Sequence, residues 1–82
     1  MTKHEKELSY IRPADEMQGQ ERIAGTNYDF ITTAGHGYLV VPNDDINYGI
    51  AKKIVSYGYT GKLAIYLEED CETGEFLEKI KK

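Results

Sequence analysis

The segment "TNYDFITTAGHGYLVVP", residues 26–42, limits the possible folds of this chain more than any other stretch. Tyr28, Phe30 and Thr32 alternate with Asp29, Ile31 and Thr33. A period of two in aromatic and β-branched residues predicts a strand. "YLVV" resumes the same chemistry after Gly35-His36-Gly37, and paired glycines permit a tight reversal. Residues 27–34 and 38–42 therefore predict a β-hairpin with His36 at its tip.

The segments that follow supply cover for that hairpin. Pro42 ends the second strand, and "NDDINYGIAKKIVSYG" predicts a helix. Asn43 or Asp44 serves as N-cap, and Ile46, Ile50 and Ile54 with Ala51 and Tyr57 make one apolar stripe. Gly58 suits the position just past the helix end. "KLAIYLE" alternates Leu63, Ile65 and Leu67 against Ala64 and Tyr66 and predicts a third strand. "GEFLEKIKK" places Phe76, Leu77 and Ile80 at helical spacing. Pro13, Gly19 and Gly25 interrupt any long element before the hairpin. Residues 1–26 are thus expected to form an irregular N-terminal arm, with Ile11, Met17 and Ile23 docking on a domain at 27–82. The expected fold is α+β, in the order ββαβα: a three-stranded antiparallel sheet with two helices on one face.

A chain of 82 residues buries only about 60% of its unfolded surface, so a staple is expected. One cysteine excludes an internal disulfide and fits a reducing compartment. The charged opening residues and the lack of any long apolar run point to a cytoplasmic protein with no membrane contact. The net charge is −4, and Glu68, Glu69, Asp70, Glu72, Glu75 and Glu78 share one window without a base. Direct nucleic-acid binding calls for a basic face, which is not visible. A cation or a basic protein surface suits the acidic window better.

Strand pairing would bring His36 and the end of the third strand to one sheet edge. Imidazole, carboxylate and thiolate are all zinc ligands, so His36, Glu69, Asp70 and Cys71 are the candidate metal set, with Zn²⁺ as the expected cofactor. Each residue alone has a plainer explanation: a turn histidine, a solvated acid, a small buried thiol. In a domain short of core, their coincidence favours a structural zinc. The alternative is a small zinc hydrolase, in which His36, Glu69 and Cys71 hold the metal and Glu68 or Asp70 acts as base. A domain of this size leaves little room for its pocket.

"TTAGHGYLVVP" followed by "YLEEDC" resembles a family of small phage and prophage proteins of unknown function. Their shared pattern is a His-Gly hairpin tip and a Glu-Glu-Asp stretch some thirty residues later. His36, Glu68, Glu69 and Asp70 fall on that pattern, while Tyr38 and Leu67 depart from it. The resemblance implies a phage origin. A short, acidic, tyrosine-rich phage protein is also similar to anti-CRISPR proteins, which implies type II-A inhibition of Cas9 without catalysis. The chain has seven tyrosines, and tyrosine is enriched in binding hot spots. Tyr57, Tyr59, Tyr66, Glu68 and Glu72 are therefore the expected contacts with a larger, basic protein, made by a monomer or weak dimer. A metal-free acidic DNA mimic is a third option, though −4 is a small charge for that role.

Overall fold

In the computed structural model, which describes residues 2–81, the chain opens with a helix, α1 (Lys3–Ile11). The Thr2 side chain accepts from the Glu5 amide, and the Glu5 carboxylate accepts from the Thr2 amide at 2.9 Å. This reciprocal cap satisfies two orphan donors and starts the helix. β1 (Met17–Arg22) then pairs antiparallel with β2 (Asp29–Thr33), with a register shift between Met17 and Gly19. The expectation of an irregular N-terminal arm is thus corrected: residues 3–22 add one helix and one edge strand. β1 carries few apolar residues, and its ladder and the Arg22–Asp29 ion pair at 2.7 Å secure it instead.

The hairpin itself is present, joining β2 to β3 (Gly37–Pro42) with Phe30 opposite Leu39 and Ile31 opposite Tyr38. β5 (Ala64–Glu68) pairs with β3, setting Tyr38 opposite Glu68. A two-residue strand, β4 (Tyr59–Thr60), pairs with the outer side of β5. The result among the described residues is a five-stranded antiparallel sheet in the order β1-β2-β3-β5-β4, with three helices, where three strands and two helices were expected.

Both faces of the sheet are covered. Leu39, Val41, Ile65 and Leu67 pack with Tyr28 against Ala51 of α2 (Tyr48–Ile54) and Phe76 of α3 (Glu72–Ile80). On the opposite face Ile31, Tyr38, Val40, Ala64 and Tyr66 pack against Leu8 of α1. Helices therefore lie on two faces, not one. This explains why "YLVV" is buried throughout rather than at alternate positions.

α2 is shorter than its apolar stripe suggests. The Asp45 carboxylate accepts from the Asn47 amide at 2.9 Å and from the Tyr28 hydroxyl at 2.7 Å. That turn delays the helix to Tyr48 and leaves Ile46 94% exposed, outside the stripe. Neither Asn43 nor Asp44 caps it. The helix also stops early, at Val55, whose backbone is extended, so Gly58 is not its terminus.

Candidate functional site

Tyr38 and Glu68 sit opposite one another on β3 and β5, so everything that flanks them gathers at one end of the sheet. The hairpin tip comes first. Thr33, buried at the base of the turn, donates from its hydroxyl to the His36 carbonyl at 3.1 Å and accepts the His36 amide at 3.0 Å. The His36 ring is left exposed, 6.2 Å from the Tyr38 ring. Gly37 follows, where a β-carbon would stand 2.5 Å from the Phe30 ring and 2.7 Å from the Glu69 carboxylate. Only glycine permits that approach, which brings Glu69 against the hairpin.

The second wall is the loop from Val55 to Gly58. Its shape is set by Glu72, whose carboxylate accepts the amides of Ser56 at 2.8 Å, Gly58 at 2.9 Å, Glu68 at 3.2 Å and also Tyr57. A charged acceptor shared by backbone amides makes strong, directional bonds. Glu72 is 3% exposed. The expectation that Glu72 contacts a partner is therefore corrected: it is an internal anchor. Gly58 completes the arrangement, since a β-carbon there would fall 2.0 Å from the Tyr66 carbonyl oxygen. The anchored loop leaves the Tyr57 side chain 75% exposed at the rim.

The floor is aromatic. The Tyr38 and Tyr59 rings lie 5.9 Å apart at 54°. Arg12, fixed by the end of α1, places its guanidinium 5.8 Å from the Tyr59 ring centroid and donates from Nη1 to the Tyr59 hydroxyl at 2.5 Å. That hydrogen bond holds the Arg12 pKa above its ordinary value. Burial, then the neighbouring Tyr59, pushes the Tyr38 phenol up. Both groups keep their usual charge state at neutral pH, and the Arg12 cation rests on the Tyr59 ring.

Together Arg12, His36, Tyr38, Tyr57, Tyr59, Glu68, Asp70 and Cys71 line one open groove of 360 Å³. It joins four of the expected residues from the hairpin tip and the third strand (His36, Glu68, Asp70 and Cys71) to Tyr57 and Tyr59. Tyr66 is not among them. It is fully buried under α1, and its hydroxyl donates to Glu7 at 2.6 Å, so the expectation of a partner contact there is corrected. Arg12 and Tyr38 belong to the groove and were not anticipated. Arg12 lies in the segment read as an arm, and Tyr38 follows the His36-Gly37 pair that marked the tip.

Glu68, Glu69 and Asp70 bring ligand oxygens within 4.8 Å of one another. Among the described residues, neither His36 nor Cys71 belongs to a group that tight. The gathered donors are all oxygen and open to solvent, whereas zinc favours nitrogen and sulfur in a closed tetrahedron. The His36, Glu69, Asp70, Cys71 set is thus not drawn together as four ligands, and the hydrolase set of His36, Glu69 and Cys71 is not either. Among the described residues, no helix is long and apolar enough to cross a membrane. Comparison of the chain with known proteins finds no matching family model, no matching curated protein and no matching solved structure.

Proposed function

We propose that this chain is a non-catalytic binding protein whose groove takes a basic, arginine-bearing segment of a larger protein. The observation that supports it best is the place of Arg12. The chain's own guanidinium already rests on Tyr59 beside Tyr38, so the groove offers the surroundings a guanidinium prefers. Tyr57 extends the aromatic wall, and Glu68 and Asp70 add charge at the rim. A large aromatic with few rotors next to carboxylates is the composition of a hot spot for a cationic partner.

The resemblance to phage proteins makes a host-defence effector the first partner to test, with Cas9 leading. The channel that holds its guide and target is positively charged. Occupying such a surface blocks nucleic acid one molecule at a time. A DNA mimic would need an unbroken row of exposed carboxylates, and Glu72 turns inward from that row.

The test is a titration of effector cleavage, with binding measured in parallel. Inhibition is expected to reach completion near one equivalent. Tyr57→Ala is expected to weaken binding about 30-fold, the effect of an interface aromatic worth ~2 kcal/mol. Complete inhibition by far less than one equivalent would overturn the stoichiometric reading. Wild-type affinity in a Tyr57→Ala, Asp70→Asn double variant would remove the groove from it.

A further inference from the structure

A second surface lies at the other end of β5. Lys3, Lys6 and Tyr10 of α1 meet Lys62 and Leu63 of the β4–β5 turn around a depression of 320 Å³. An adjoining hollow of 410 Å³ shares Glu7, Tyr10 and Lys62 with it. Tyr10 is 76% exposed and Leu63 42%, an apolar pair left open to water. Lys3, Lys6 and Lys62 are absent from the ion pairs among the described residues, which are Arg12–Asp15 and Arg22–Asp29. The one acid lining the depression, Glu7, is already committed. It accepts the Lys62 amide at 2.7 Å, the Leu63 amide at 3.1 Å and the Tyr66 hydroxyl at 2.6 Å. The patch is therefore both cationic and apolar.

The chain carries the complement of this patch. At the far end of the same strand Glu68, Glu69 and Asp70 cluster, and Glu68 and Asp70 line the groove together with the exposed Tyr57. Six residue steps of extended chain take Leu63 to Glu69, about 20 Å. One end offers three ammonium groups around an apolar hollow. The other offers three clustered carboxylates, two of which share the groove with an exposed aromatic ring. A nucleic acid is a poorer occupant, since phosphates gain nothing from the hollow and the net charge of −4 opposes them.

We propose that a second copy of this chain docks head to tail. Tyr57 of one copy enters the hollow between Tyr10 and Leu63 of the next, and Glu68, Glu69 and Asp70 face Lys3, Lys6 and Lys62. The two surfaces differ and lie at opposite ends, so the contact is heterologous and leaves a free site at each end of any dimer. It is small and solvent-exposed, so it is weak and salt-sensitive. It also covers the rim of the groove assigned above to a partner, without depending on that assignment.

Sedimentation velocity on the whole chain tests this, from roughly 10 µM to 1 mM, the range of a weak contact. At low salt the wild type is expected to grow beyond a dimer with concentration, and about 0.5 M salt is expected to return it to monomer. Two neutralised variants carry the decisive arm: Lys6→Gln with Lys62→Gln on the basic side, and Glu69→Gln with Asp70→Asn on the acidic side. Each alone is expected to lose at least tenfold in self-association. Mixed in equal amounts they rebuild one intact contact, giving a one-to-one dimer and nothing larger. Tyr10→Ser, which leaves every charge in place, is expected to weaken association as well, and circular dichroism melts check that each variant folds. A monomeric wild type throughout the range at low salt overturns the proposal. So does association that survives neutralisation or salt, or a variant mixture that stays monomeric. Binding of a labelled oligonucleotide lost in the basic-side variant would assign the patch to nucleic acid instead.

Discussion

At the scale of single residues, Glu72 and Tyr57 are expected to divide structure from recognition. Glu72 holds four backbone amides from two segments. Glu72→Gln keeps one acceptor but turns an NH₂ group toward amide donors. It is expected to cost about 3 kcal/mol, since hydrogen bonds to a charged group are worth roughly 1.5–3 kcal/mol each and do not add fully. A thermal melt would show this as a midpoint lowered by about 10 °C or more. Partner binding should fall with it, because the loop carrying Tyr57 is released. Tyr57→Ala is the contrasting case. Its exposed side chain leaves the melting midpoint within the small range typical of surface changes, about ±0.5 kcal/mol, while affinity drops. If Tyr57→Ala instead destabilised the fold as much as Glu72→Gln, the division would be wrong.

At the scale of elements, α1 is bound to the sheet by chemistry that titrates. Burial raises the Glu7 carboxyl, but the Tyr66 hydroxyl and the amides of Leu63, Lys62 and Ala64 favour the anion and together hold its pKa below the ordinary value. The Arg22 hydrogen bond first, opposed by burial, holds Asp29 low in the same way. His4 is lowered by burial and by Lys3. A group whose folded pKa is depressed stabilises the fold above its unfolded value, and that contribution is lost as pH falls through the folded one. Stability is therefore expected to decline from about pH 6.5 downward through His4, and more steeply below about pH 4 through Glu7 and Asp29. Glu7→Gln should be less stable at neutral pH and show a shallower acid limb; an unchanged limb would remove Glu7 from the account.

Much of this level was legible beforehand, and the gaps have physical causes. Alternation in Tyr28–Thr33 and the apolar run Leu63–Leu67 located β2 and β5, because aromatic and β-branched residues suit a pleated strand and two covered faces make it apolar throughout. The placing of His36 and Glu68 at one end of the sheet followed from pairing β3, the second strand of the hairpin, with β5. α1 was missed although Thr2 and Glu5 hold the spacing of a capping box. β1 has no such signal: "MQGQER" is polar on both faces and is a strand only because β2 offers it a ladder. Arg12 could not be assigned to the groove until α1 existed to aim it.

At the scale of the whole molecule, the question is what replaces the missing disulfide in 82 residues. Covering both sheet faces supplies two clusters instead of one, and Glu7 and Glu72 tie turns that are far apart in sequence. Carboxylates holding backbone amides thus tie separate segments together, the role that zinc was expected to fill. Chelator is therefore expected to leave the melting curve unmoved, and native mass spectrometry of protein purified without chelator should give the bare chain mass. A bound zinc ion, with a midpoint that falls on its removal, would restore the metal reading.

Cys71 stands exposed on the lip of the groove as the sole thiol of the chain. A single maleimide dye will therefore attach at one known point without any mutagenesis. Its emission should respond when the groove fills, and a bulky adduct there should act as a plug. On the proposed reading, the unaltered protein carries its own reporter and its own off-switch.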